Sequence, residues 1–184
     1  MAADVVNESS SAMPPPAMEF KSLSKTYLSA DNDKIDALTN IDMSVGQGEF
    51  VSIVGPSGCG KSTLLKIVAG LLPATQGAVF LNGKKIKGPT GDVGVVFQSP
   101  TLLEWRNVLE NVMLIADVHD HNRQQIRKHA LELIEMTGLK DFAGKYPSEL
   151  SGGMQQRVAI ARALVHSPSV LRSEERRVGK ECRL

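Results

Sequence analysis

Gly55-Pro56-Ser57-Gly58-Cys59-Gly60-Lys61-Ser62-Thr63 is the stretch that decides how this chain is read. It fits G-x-x-x-x-G-K-[ST], the spacing of a phosphate-binding loop. Its flanks agree with that reading. Phe50-Val51-Ser52-Ile53-Val54 is short, apolar and β-branched, which predicts a buried parallel strand. Ser62 to Leu71 predicts a helix with Leu64, Leu65, Ile67, Val68 and Leu71 as its apolar positions. Strand, glycine loop and helix come in the order the chemistry needs. Gly55, Gly58 and Gly60 let the backbone curl into a nest of amide N–H groups, and the helix start adds the positive end of its dipole. Lys61 offers a point charge for β- and γ-phosphates, and the Ser62 hydroxyl can ligate Mg²⁺. A glycine-rich turn could match by chance, but strand and helix on the two sides argue against that.

The chain has 184 residues, 42% of them hydrophobic and 22% charged, which is ordinary for one globular domain with a core. Its net charge of +1 gives no bulk electrostatic case for nucleic acid. No apolar run approaches the ~20 residues of a membrane-spanning helix, and no basic-then-apolar leader opens the chain. Cys59 and Cys182 do not make a disulfide framework. Cys59, inside the phosphate loop, reads as a small reduced residue in keeping with a reducing cytosol.

Met1 to Met18 is rich in Ala, Ser and Pro and predicts a disordered tail. Glu19 to Tyr27 predicts a strand with Phe20 and Leu23 in the core, Ser29 to Lys34 a loop, and Ala37 to Val45 a second strand before the turn Gly46-Gln47-Gly48. These pieces predict a small antiparallel sheet leading into the phosphate-loop strand. Gly70 to Pro73 ends the first helix, Gly77 to Leu81 is β-like, and Asn82-Gly83 is a tight-turn signal. Val93 to Phe97 predicts a buried strand that delivers Gln98 at its end, where parallel strands carry binding groups. Ser99 to Tyr146 reads as mainly helical, with Val108, Val112 and Ile115 on one face. Asn122 is the expected cap of a helix running to Thr137, with Gly138 as its stop. The block of about 99–150 is thus a helical insertion in an α/β core. Ser151 caps a further helix whose first turn holds Gly152 and Gly153; that helix ends before Pro168, and Val170-Leu171 opens a new strand. His119, His121, His129 and His166 show no metal-ligand spacing and are expected to face solvent.

From Arg172 the chain changes character. Residues 172–184 are dense in charge, and without them the net charge falls from +1 to −1. One reading is a solvated, charged helix. The other is that residues 172–182 resemble the in-frame translation of a DNA sequencing adapter, and on that reading 172–184 is a non-native tail set aside from the fold.

The motifs then join. The phosphate loop, Gln98 after a later strand, and Leu150-Ser151-Gly152-Gly153-Met154-Gln155-Gln156-Arg157 resemble, in that order, the ATPase subunit of an ABC transporter. The resemblance covers about Glu19 to Leu171, a domain incomplete at its C-terminus. Val96 to Arg106 is most similar to ATPases of bacterial importers for nitrate, sulfonate or taurine and of related pyrimidine-precursor importers, although Glu104 stands where many relatives carry Pro.

The resemblance implies an α/β fold: a P-loop NTPase core with an N-terminal antiparallel subdomain and a helical insertion. It implies ATP bound by Gly55 through Thr63, and Mg²⁺ held by Ser62 and Gln98. Tyr27 matches the aromatic that stacks on adenine; the alternative is a strand-end Tyr without a ligand. Gln98 matches the residue that also holds the attacking water and couples ATP to the membrane subunits. Ser151, Gly152 and Gly153 match the signature that contacts a γ-phosphate across a dimer; Arg157 is read as supporting that helix, the alternative being a phosphate-facing charge. Trp105 and Arg106 lie where such subunits meet the permease, or Trp105 is partly buried core. The implied partners are a second copy of the ATPase, permease subunits in the membrane and, indirectly, a periplasmic solute-binding protein, at the cytoplasmic face of the bacterial inner membrane. The family's metal-binding Asp, catalytic Glu and γ-phosphate His have no match in these 184 residues, and Glu174-Glu175 follows no apolar strand. The expectation is ATP binding without hydrolysis by this chain. A non-hydrolysing remnant and an ABC ATPase outside transport stay open as alternatives.

Overall fold

The computed structural model describes residues 15–29, 31–118 and 122–173. Its strands are β1 (Met18–Leu28), β2 (Lys34–Val45), β3 (Gln76–Leu81), β4 (Lys84–Lys85), β5 (Val93–Val96) and β6 (Val170–Ser173). Its α-helices are α1 (Lys61–Val68), α2 (Val108–Val112), α3 (Leu114–Val118), α4 (Arg123–Met136) and α5 (Gly152–Leu164). They fall into two units, Met1–Leu64 with Pro73–Lys87, and Leu65–Leu72 with Gly88–Leu184.

The first unit is built on a four-stranded antiparallel sheet in the order β2-β1-β3-β4. β1 lies inside it and carries the expected core residues: Phe20 is 4% exposed and Leu23 0%. Of the tail expected over residues 1–18, residues 1–14 lie outside the described residues, whereas Met18 begins β1 and Ala17 and Met18 are both buried. β2 likewise begins earlier than expected, at Lys34. The β1–β2 register shifts between Phe20 and Leu23, where Ser22 takes a left-handed φ of 45°. Its amide leaves the ladder and donates to Asp42 Oδ1 at 2.7 Å, while Asn40, at φ 44°, donates to Ser24 Oγ at 2.9 Å. Short polar side chains thus take the amides that the bulge frees. Asn82 and Gly83, both at positive φ, turn β3 into β4 as their dipeptide predicts.

Phe50 to Val54 departs from expectation. The run forms no strand, and Phe50 and Val54 are 93% and 89% exposed. The composition is that of an interior strand, and such a strand needs a ladder along its edges. Among the described residues neither sheet includes it. Five extended residues without partners have no hydrogen-bond reason to stay a strand.

The second unit packs α2, α4 and α5 around one core and carries the parallel pair β5–β6. Val108 and Val112 on α2, Ala130, Leu133 and Ile134 on α4, and Val158, Ala161 and Val165 along α5 supply the core at helical spacing. Asn122 caps α4 as expected, accepting from the amides of Gln124 and Gln125. Gly138, at φ 69°, ends it: Gly138 N–H donates to Glu135 O and Leu139 N–H to Ile134 O, both at 2.9 Å. That is the double bond of a Schellman cap, closed by buried Ile134 and Leu139. Gly70 ends the shorter α1 in the same way, with Leu71 N–H on Lys66 O. The helix expected to reach Leu71 stops at Val68, and Leu71 is 55% exposed. β6 begins at Val170 as expected and takes in Arg172 and Ser173, paired with Val95 and Val96. Residues 174–184, the rest of the segment set aside above, lie outside the described residues.

One buried polar residue went unread in the sequence. Asn111 is 0% exposed on α2. Its Oδ1 accepts from Leu103 N–H at 2.8 Å, and its Nδ2 lies within hydrogen-bond distance of the carbonyls of Leu103, Arg106 and Asn107. The side chain therefore does for this loop what a strand partner would do. Asn111→Ala removes the side-chain bonds to Leu103 and Arg106, at a cost of about 1–3 kcal/mol. The expected result is a lower urea midpoint and faster amide exchange at Leu103.

Candidate functional site

The phosphate loop is exposed from Gly55 to Cys59 and runs straight into α1. Gly58 and Gly60 take φ of 83° and 92°, the left-handed region that points successive amides to one side. Gly60 is also irreplaceable for space, since a Cβ there would fall on the carbonyl oxygen of Ala37. The first amides of α1 have no acceptor within the helix, as for any helix start. Lys61 bends back over the loop, its Nζ donating to Gly55 O and Pro56 O at 2.6 Å each and lying 3.4 Å from Cys59 Sγ. The loop is thus held as a curl with its lysine on the concave side. Pro56, Ser57 and Thr63 complete it in the positions expected. A nest of amides, one ammonium and a first-turn hydroxyl at Ser62 form a donor set that fits a polyphosphate with a hard cation.

The same unit brings Tyr27 to this loop. The Tyr27 hydroxyl lies 3.4 Å from Thr63 Oγ1, although 36 positions separate them in sequence. The ring is 38% exposed, and Lys25 Nζ stands 5.3 Å from its centroid. Tyr27 is thus a half-open aromatic face beside the phosphate loop.

In the second unit, Gln98 follows β5 by two residues and is exposed. It opens a loop to α2 that the chain grips closely. Arg162 of α5 donates from Nη1 to Thr101 O at 2.9 Å and from Nη2 to Pro100 O at 2.8 Å and Thr101 Oγ1 at 3.2 Å. Burial pushes the Arg162 guanidinium pKa down from its ordinary value. Farther along, Asn111 holds Leu103 to Asn107. Trp105 stands out between the two grips, 73% exposed, so its reading as partly buried core does not hold. The signal for Arg162 was present in the sequence, as one charge inside the apolar run Val158-Ala159-Ile160-Ala161-Arg162-Ala163-Leu164.

Ser151 is the N-cap of α5, its Oγ accepting from Met154 N–H at 3.3 Å. Gly152 and Gly153 are exposed, and a Cβ on either would meet no atom within 4 Å. Among the described residues nothing fills the space beside these two positions. Arg157 turns away from that helix start and donates to Thr137 O at 2.8 Å, tying α5 to the end of α4. The histidines differ from expectation. His129 is half-buried with Nδ1 2.9 Å from Val165 O, and His166 is half-buried as well. Packing of α4 against α5 draws His129 inward; His119 and His121 lie outside the described residues. Among the described residues no helix is long and apolar enough to cross a membrane.

Comparison with known proteins agrees with this geometry. The family model described as ABC transporter matches residues 38–175. The taurine import ATP-binding protein of Ruegeria pomeroyi is 42% identical over 158 residues, 86% of this chain and 59% of that protein. The nitrate import ATP-binding protein of Synechococcus elongatus is 46% identical over 141 residues, 76% of this chain and 21% of that protein. The chain therefore spans 59% or less of the length of these two relatives. Among solved structures, a dimeric ATP-binding cassette in a post-hydrolysis state with ADP and Pi gives a TM-score of 0.72 at 38% identity, covering 85% of this chain and 72% of that one. A subunit of the cbiONQ transporter complex from Clostridium perfringens gives 0.74 at 30% identity, covering 86% and 65%. The fold class read from the sequence, an α/β P-loop NTPase core, is that of these cassettes. With loop, Gln98 and capped glycine helix in the family's order, the chain belongs to the ATP-binding subunits of ABC transporters.

Proposed function

We propose that this chain is the nucleotide-binding part of an importer for a small solute such as nitrate, a sulfonate or taurine. The observation that carries the reading is the exposed loop Gly55–Thr63, curled under Lys61 and opening α1. In this reading Tyr27 stacks on the base of ATP, and the loop amides and Lys61 take its phosphates. Ser62 and Gln98 offer oxygens to Mg²⁺. A bound Mg²⁺ would supply charge neutralisation at the phosphates. Ser151, Gly152 and Gly153 meet the γ-phosphate held by a second copy. Trp105, exposed on the Gln98 loop, faces permease subunits at the cytoplasmic side of a bacterial inner membrane, and a periplasmic solute-binding protein is an indirect partner. The relatives' names support the importer class.

The finer reading is that these 184 residues bind ATP without turning it over. Its support lies at β6, where Arg172 and Ser173 continue the strand and no Asp-Glu pair follows Leu171 in the sequence. In this reading the chain lacks the paired carboxylates that would orient the attacking water.

Three outcomes are expected. Lys61→Ala should weaken MgATP binding about tenfold to a hundredfold in titration calorimetry, since charge-assisted hydrogen bonds are worth about 1.5–3 kcal/mol; equal affinities would refute the loop's role. Ser151→Arg should leave that affinity within about twofold while abolishing ATP-driven association of two copies in sedimentation velocity, because a cation at a helix start repels its dipole and fills the space beside Gly152. The unsubstituted chain should release no phosphate above background in a coupled assay with Mg²⁺ and ATP; sustained turnover would overturn the finer reading.

A further inference from the structure

The loop from Gln98 to Asn107 is gripped more firmly than a connection needs. Its near end is held by Arg162, whose guanidinium puts three hydrogen bonds on Pro100 and Thr101. Its far end is held by Asn111, through Leu103, Arg106 and Asn107. Thr101 sits at φ 46°, a left-handed conformation that a β-branched residue keeps only under external hold. A second tie joins the same helix to the end of β5, with Gln156 Nε2 3.4 Å from Phe97 O. These bonds all lie within one unit.

We propose that Arg162 is a positioning residue for Gln98. It fixes the two residues that set the direction of the chain just after Gln98, and it does so from the helix that Ser151 caps. With Asn111, it makes the loop one body from Gln98 to Trp105, so that a ligand at Gln98 is felt at Trp105. The inference rests on the reading of Gln98 as a nucleotide-facing group. The physical case is the use made of the charge. Arg162 is half-buried and, among the described residues, has no carboxylate partner. An apolar side chain would fill this face of α5 without the desolvation that a guanidinium suffers. What the guanidinium adds is a planar fork able to take two adjacent carbonyls and a hydroxyl at once, which fixes their direction as well as their distance. Lysine has the charge without the fork.

The test uses the full chain and two readouts: amide hydrogen exchange followed by mass spectrometry, and the fluorescence of Trp105, the one tryptophan in the sequence. Arg162→Gln is expected to speed exchange over 98–103 about tenfold or more, to leave α4 protected as in the parent, and to abolish the change in Trp105 emission on adding MgATP. Calorimetry should show ATP affinity within about threefold of the parent. Arg162→Lys should recover part of both effects. Gln98→Ala should remove the emission change without altering exchange, and the double variant should match Arg162→Gln in both readouts, because both act through one group. Unchanged exchange over 98–103 in Arg162→Gln overturns the clamp. An emission change that survives in that variant, or ATP binding by the parent with no emission change, overturns its link to Gln98. If the parent binds no ATP, the nucleotide reading is what fails, and exchange still decides the clamp. Should Arg162→Gln fail to fold, Arg162→Lys carries the test, and parent-like protection over 98–103 in it overturns the proposal.

Discussion

The phosphate loop depends on the backbone amides of a helix start, which have no acceptor within the helix. A helix start has N–H groups with no acceptor in the helix, and a buried start must find them partners. Here two starts, those of α1 and α5, stand exposed behind glycines. At α1 the glycines are needed for conformation, since Gly60 sits at φ 92° with the Ala37 carbonyl where a side chain would be. At α5 they are needed for nothing within the described chain, because Gly152 and Gly153 have open space around them. In both cases glycine places no side chain of its own over the first amides of the helix.

Irregular segments of the chain are held by polar side chains. Asn111 serves Leu103, Arg106 and Asn107; Arg162 serves Pro100 and Thr101; Arg157 closes the end of α4 at Thr137; Asp42 and Ser24 serve the bulges beside β1. Each replaces a ladder or cap that regular structure would have supplied. Asn111 and Arg162 also transmit position, since a side chain with several bonds to one loop fixes a direction.

The sequence made the helices and their stops legible because those signals are local. Asn122, Gly138 and Ser151 act within one turn of where they stand, and so does Asn82-Gly83. The phosphate loop is legible for the same reason. Tyr27 beside Thr63 needed the β1–β2–β3 sheet to bring it there, and only the resemblance to a family pointed to it. Arg162 was passed over because its partners lie some sixty residues away, and Asn111 because its partners are backbone groups, which every residue type offers. A charge inside an apolar helical run was the one clue to Arg162. For Asn111 the sequence held none, since an Asn between two valine positions reads as the polar edge of α2.

Phe50 to Val54 shows what a strand signal measures. β-branched and aromatic residues mark a pleated surface packed by neighbours more than they mark a backbone preference. At 93% and 89% exposed, Phe50 and Val54 have no such surface, and the run is extended chain leading into the loop. The loop nevertheless keeps its curl, so the curl does not depend on a laddered strand before it. It depends on Lys61, whose ammonium draws Gly55 O and Pro56 O together from the far side. Those carbonyls are neutral acceptors, and a phosphate oxygen carrying charge is the stronger one. The same ammonium that closes the curl is therefore the group that a phosphate would draw across it, which makes Lys61 both the internal tie of the loop and its most responsive part.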